Sequence, residues 1–314
     1  MSLPFKILIE NKFLSELLDG EQTEFIGNEH LLSIVNDFEE EKWRYGQFLN
    51  YIWDRVIYTA LSAKERDALV DSSHTRLVVA AQNLRLIDSI NDKIQTEGSE
   101  LAEILLYGIM KDYYNALSVV PKIFYKQSSN DNAKGADSVH IVVEENDFSL
   151  WIGEAKFYNS LDDVRLDKVI ESVENTLATD KLKKENSILL NVKDLEILIK
   201  NKDLLENINN TLNVRTSIDA IKPKLHIPIL LLYECEITKK SNILSDEYLK
   251  PLVEFQLDRA KKYFDKQTNK LNFIVKRYSD ITFHLILFPV PCKAKIVTRF
   301  LDEAKFLKER ANDE

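Results

Sequence analysis

The constraint that most narrows the fold is a change of period between Asp137 and Lys156. From Asp137 to Val143 and from Phe148 to Lys156 the residues alternate and are rich in Val, Ile, Phe and Trp, while Glu144-Glu145-Asn146-Asp147 between them is a polar cluster. Alternation over two short runs with a polar break is the pattern of two strands joined by a turn. Side chains of a strand point to alternate faces, so Leu150, Ile152, Glu154 and Lys156 share one face, and Asp137, Val139, Ile141 and Val143 share a face of the partner. A loop over 144–147 pairs Val143 with Phe148, Ile141 with Leu150, Val139 with Ile152 and Asp137 with Glu154. That register sets the two acids opposite each other, roughly 5 Å apart at Cβ. A slip of one residue would carry Asp137 to the other face.

Two carboxylates at the end of an otherwise apolar face repel each other and lose hydration, so they are costly unless a cation bridges them. A hard divalent ion such as Mg²⁺, which takes oxygen ligands, relieves that cost. Lys156 on the same face would neutralise charge on a phosphate, or orient and deprotonate an attacking water. Spacing alone does not choose between these roles, nor between them and a lysine at a sheet edge paired with Glu154. Glu-x-Lys by itself carries little weight, since it recurs at Glu10-Asn11-Lys12, Glu40-Glu41-Lys42 and Glu303-Ala304-Lys305. A third acid, Glu103, lies in a predicted helix running from Ser99 to Met110, among Ala102, Leu106, Tyr107 and Met110 rather than on a polar stripe. That placement suits a catalytic or lysine-anchoring group. The plain alternative is a first-turn acid favoured by the helix dipole, a role Glu100 fills equally.

The helix bearing Glu103, a strand near Val119 to Lys126, the Asp137 strand, the Glu154-x-Lys156 strand and a following helix together resemble the core of the PD-(D/E)XK nuclease superfamily. Further segments, Gly98–Tyr107, Gly135–His140, Trp151–Lys156, His226–Glu234 and His284–Lys293, are similar to the HamA family, the nuclease subunits of Hachiman antiphage systems, and to its relative AbpA. The likeness covers roughly residues 96–310. The resemblance implies an α/β fold: a restriction-endonuclease-like αβββαβ core with a central mixed sheet flanked by helices. It implies one or two Mg²⁺ or Mn²⁺ ions held by Asp137, Glu154 and the backbone carbonyl of Ala155, with Lys156 in catalysis and Glu103 in support. It further implies hydrolysis of DNA in antiphage defence, by a nuclease that a superfamily 2 helicase subunit, HamB, restrains and then releases. The first acid stands in Ala136-Asp137 rather than Pro-Asp, which weakens a motif search but not the chemistry. Two other readings stay open: a non-catalytic binding or regulatory subunit that keeps the fold, and a restriction-type endonuclease that recognises a short sequence.

A chain of 314 residues buries a sizeable core as one elaborated domain or two. The polar break at Thr96-Glu97-Gly98 divides an accessory, mostly helical region, 1–95, from a nuclease core with a C-terminal helix, 96–314. In the first part Phe5–Leu18 is a mixed apolar segment, Leu31–Leu61 has helical spacing, and Thr75–Ile94 reads as a helix. Beyond the hairpin, expected elements are a helix over 164–178, helices joined by polar turns over 179–220, and a terminal helix from Lys293 to Arg310. Continuous apolar runs at His226–Ile237 and Ile281–Val290 fit strands buried on both faces. No apolar run approaches the roughly 20 residues needed to cross a bilayer, and no signal segment is evident, so a cytoplasmic protein without a membrane role is expected. Cys235 and Cys292 read as buried reduced thiols. His140, His226 and His284 lie one to a strand without paired ligand spacing, and read as isolated histidines.

The net charge of −9 opposes nucleic-acid binding over the whole surface, which needs clustered Lys and Arg. Two resolutions present themselves. Arg259, Lys261, Lys262, Lys266, Lys270, Lys276 and Arg277, interleaved with Tyr263, Phe264 and Phe273, form a local basic strip with stackable rings, or else the solvated face of one helix. Otherwise a partner supplies the affinity, and an acidic surface suits docking onto a basic one.

Overall fold

The apolar runs assemble a seven-stranded mixed sheet in the computed structural model, which describes residues 3–10, 27–85, 99–125 and 135–312. In chain order the strands are β1 (Lys6–Glu10), β2 (Glu29–Val35), β3 (Phe38–Glu39), β4 (Lys42–Trp43), β5 (Leu117–Val120), β6 (Ser138–Glu144), β7 (Asp147–Tyr158), β8 (Leu225–Glu234) and β9 (Thr282–Val290). The described helices are α1 (Tyr45–Ala60), α2 (Ala63–Ala68), α3 (Ser73–Gln82), α4 (Ser99–Asp112), α5 (Lys122–Tyr125), α6 (Asp163–Thr176) and α7 (Thr179–Asn191). They continue with α8 (Asp194–Leu198), α9 (Lys202–Leu212), α10 (Ile218–Ile221), α11 (Glu236–Lys240), α12 (Asp246–Leu271) and α13 (Lys293–Asn312). The sheet order is β1-β2-β9-β8-β7-β6-β5, while β3 and β4 pair separately. Its middle, β2 to β7, is parallel, and antiparallel partners flank it on both sides.

Alternation along β7 divides the core in two. Leu150 and Ile152 join Leu166, Val169 and Ile170 of α6 in one apolar layer, which also takes in α7, α9 and α12. Trp151, Ala155 and Phe157 join the opposite layer with α1, α4 and α13. Gly153 lets α4 approach, because a Cβ there would collide with Ser138 Oγ and lie 2.9 Å from Leu106 Cδ2. None of the described helices is long and apolar enough to cross a membrane.

The hairpin register agrees with the alternation, pairing Val143 with Phe148, Ile141 with Leu150 and Val139 with Ile152. An added rung, Glu144 with Asp147, shortens the turn to Glu145-Asn146, with Glu145 in the left-handed region at φ 50°. Other boundaries differ. Helical spacing at Leu31 gives way to β2, whose Leu31, Leu32, Ile34 and Val35 are buried on both faces between β1 and β9. Residues 1–95 therefore contribute β1 and β2 to the central sheet as well as helices α1 to α3, and the expected joint at 96–98 lies outside the described residues. The predicted strand from Val119 ends at Val120, where Pro121 cannot continue a ladder, and α5 follows. Helix α3 stops at Gln82, and the predicted continuation from 86 to 94 is likewise outside the described residues.

Candidate active site

Asp137 stands one residue before β6, and its backbone N–H donates to the Gly153 carbonyl at 3.0 Å. One step beyond the Ser138–Gly153 pair, its side chain meets the end of β7. Asp137 Oδ2 accepts from the Ala155 N–H at 3.0 Å and from Lys156 Nζ at 3.1 Å. The same ammonium donates to Glu154 Oε2 at 2.9 Å. The structure thus brings Asp137, Glu154 and Lys156 together, with one cation spanning two carboxylates.

Glu154 is 4% exposed and is fixed from α6: Ser172 Oγ donates to Oε2 at 2.6 Å and Thr176 Oγ1 to Oε1 at 2.5 Å. Both oxygens of the buried carboxylate are thus supplied with donors. Burial alone would lower the Lys156 pKa, but the Asp137 and Glu154 carboxylates outweigh it and hold it above lysine's ordinary value.

Neither the hydroxyls of α6 nor Glu185 of α7 figured among the residues singled out in the sequence. Glu185 is 2% exposed; its Oε1 accepts from the Ala136 N–H at 3.0 Å and its Oε2 from Lys122 Nζ at 2.5 Å. Lys122 is itself fully buried. This ion pair grips the backbone immediately before Asp137. A Cβ at Gly135 would collide with Glu185 Oε1, so glycine there makes room for the grip. A helical stripe would have found two of these groups, Glu185 and Thr176: Leu182, Glu185, Asn186 and Leu189 form the buried side of α7, and Val169, Val173 and Thr176 lie on that of α6.

Glu103 is buried on α4, in the layer opposite α6. The ion pairs of Lys156 run to Asp137 and Glu154 and do not include Glu103. Burial pushes the Tyr107 phenol toward higher pKa, and the Glu103 charge adds to the rise. His226 and His284 are not isolated: adjacent on β8 and β9, they share a 2.9 Å contact between Nδ1 and Nε2 and stack with Trp151. His140 stands apart beneath Tyr107, fully buried, with neither ring nitrogen hydrogen-bonded among the described residues. Cys235 and Cys292 are both free thiols, the first buried and the second half-buried.

Most of the basic strip is neutralised where it lies. Arg259 pairs with Asp163 at 2.7 Å, Lys266 with Asp167 at 2.8 Å and Lys270 with Glu174 at 2.9 Å, lacing α12 to α6. Tyr263 and Phe264 are buried, and Phe273 alone of the three rings is exposed.

Oxygen donors suited to a hard divalent ion converge at the Lys156 ammonium. Asp137 directs Oδ2 at it and Glu154 directs Oε2. Neighbouring N–H and C=O groups of one extended residue face the same strand, so the Ala155 carbonyl points with its N–H to the Asp137 side. Among the described residues no group of three or more His, Cys, Asp or Glu has metal-holding geometry. Two carboxylates and a carbonyl still fit Mg²⁺, which keeps several waters and borrows ligands from substrate phosphates.

The HamA family model matches residues 11–304. The chain belongs to the HamA family. No match was found among curated proteins. HamA membership makes this an antiphage defence protein of the Hachiman type.

Proposed function

We propose that this HamA-family chain is a metal-dependent deoxyribonuclease of the PD-(D/E)XK type, the effector of its Hachiman system. The observation that carries the reading is the Lys156 ammonium set between Asp137 and Glu154 at 3.1 and 2.9 Å. Asp137, Glu154 and the Ala155 carbonyl would hold Mg²⁺ or Mn²⁺, which when bound supplies Lewis-acid charge at the scissile phosphate. Asp137 is positioned by the Glu185 grip on Ala136, and Glu154 by Ser172 and Thr176, so both carboxylates are aimed before substrate arrives. Lys156 shifts its ammonium from the carboxylates toward a phosphate oxygen and stabilises the charge that develops there.

Net charge of −9 and the pairing of the α12 cations favour delivery of DNA by a second subunit over tight binding by this chain alone. In this reading a helicase subunit restrains the nuclease and releases it. The test incubates wild type, Glu154→Ala and Lys156→Ala with linear, circular and single-stranded DNA and with RNA, in Mg²⁺ or EDTA, with and without the helicase subunit. General loss of DNA by wild type in Mg²⁺, abolished by EDTA and by either substitution, is the expected result. Unchanged cleavage by folded Glu154→Ala, or no cleavage by wild type under any of these conditions, would sink the reading.

A further inference from the structure

Beyond the carboxyl ends of β8 and β9, on the α13 side of the sheet, a cavity of about 420 Å³ is lined by Lys42, Arg44, Lys239, Lys295 and Arg299. Only two carboxylates, Glu39 and Glu41, share that lining, so five cations meet two acids in a chain that is −9 overall. Arg44 meets Glu39 at 3.4 Å and Lys239 meets Glu236 at 3.0 Å. Lys42, Lys295 and Arg299 meet no carboxylate among the described residues.

The cluster is assembled against local preference. Lys295 and Arg299 stand one turn apart on α13 and both lie over the Tyr45 ring, 4.0 and 5.2 Å from its centroid. Like charges at that spacing destabilise a helix, and the first turn of α13 offers no acidic residue to balance them. Lys42 is presented by the β3–β4 hairpin, whose turn residues Glu40 and Glu41 hold left-handed backbone at φ 47° and 61°. Two successive left-handed residues are what a two-residue hairpin turn of this hand requires, and here they set Lys42 at the rim of the cavity. Repelling cations brought round a concavity are relieved by a bound polyanion.

We propose that this cavity binds a small polyphosphate anion, of the pyrophosphate or nucleoside polyphosphate class. Its volume lies in the range of small-ligand sites. The ammonium groups of Lys42 and Lys295 and the forked guanidinium of Arg299, which meet no carboxylate among the described residues, are each available to a phosphate oxygen. Trp43 is buried against the edge of Tyr45, and the Tyr45 ring already carries Lys295 and Arg299, so recognition rests on phosphate charge rather than on base stacking. The site is separate from Asp137 and Glu154, which belong with α6 on the other side of the sheet, and its test does not depend on DNA cleavage.

Calorimetric titration of the full chain with inorganic pyrophosphate at near-physiological salt tests the proposal. Wild type binds, Arg299→Ala and Lys42→Ala each weaken binding by about tenfold or more, and Lys261→Ala, which changes an exposed charge elsewhere, leaves it unchanged. Circular dichroism of each variant confirms the fold. ATP in place of pyrophosphate distinguishes the two sources: equal affinity assigns recognition to the polyphosphate alone, and tighter binding assigns it to a nucleotide. No binding of pyrophosphate or ATP by wild type, or wild-type affinity retained in Lys42→Ala and Arg299→Ala, overturns it. Capture of a 5′-hydroxyl oligodeoxynucleotide without either small anion also overturns it, in favour of a track for a nucleic-acid backbone.

Discussion

Replacing Glu185 by Gln tests whether the buried ion pair with Lys122, which anchors the grip on Ala136, is a structural necessity. The carboxylate is 2% exposed, with Lys122 Nζ at 2.5 Å and the Ala136 N–H at 3.0 Å. Gln keeps an oxygen for the amide but withdraws the charge opposite a fully buried ammonium. Breaking a buried pair by removing one partner costs about 3–5 kcal/mol, most of it the penalty of leaving the other charge uncompensated. The double variant Lys122→Met/Glu185→Gln removes both charges and retains the amide's acceptor, so it recovers part of that loss. Urea unfolding followed by the fluorescence of Trp43, Trp53 and Trp151, all buried, measures both variants. Glu185→Gln within about 0.5 kcal/mol of wild type, the usual range of surface substitutions, would refute the reasoning. A double variant no better than the single would refute the charge-pairing part of it.

Two further outcomes are expected. Thr176→Val removes the 2.5 Å hydrogen bond to Glu154 Oε1 at nearly constant shape, and should cost about 1.5–3 kcal/mol as a lost bond to a charged group; an unchanged urea midpoint would show that Glu154 does not need this donor. Burial holds the pKa of His140 down to about 3, and burial with the His30 charge holds His226 down to about 4. The unfolded chain, with histidines near 6.5, then takes up protons first. Their stabilising contribution is complete above about pH 6.5 and is lost as pH falls from there toward the folded values. The urea midpoint should therefore drop between about pH 6.5 and 4.5, less steeply in His140→Phe, and equal slopes for variant and wild type would exclude His140 as a contributor.

The hairpin was legible because alternation and register are local properties. Val139, Ile141, Leu150 and Ile152 can face one core only if Asp137 and Glu154 fall near each other at its end. What surrounds those acids was not legible in the same way. Ser172, Thr176 and Glu185 reach the site from helices that fold back over the sheet, and Glu185 follows Lys183 and Lys184 in a segment that reads as solvated. Strand β2 was masked by its own composition, since a short run apolar on both faces does not separate strand from helix by period. The charges of α12 were visible, but their neutralisation depends on Asp163, Asp167 and Glu174, roughly a hundred residues earlier in the chain.

Helix α6 is held differently on its two sides. Inward, two hydroxyls bind Glu154 where water is excluded. Outward, Asp163, Asp167 and Glu174 meet the cations of α12 at a surface where ions compete for every contact. Rising ionic strength therefore loosens the outer lacing well before it reaches the inner hydroxyls. One carboxylate of the candidate centre is thus braced by a helix with one salt-resistant fastening and one salt-sensitive one.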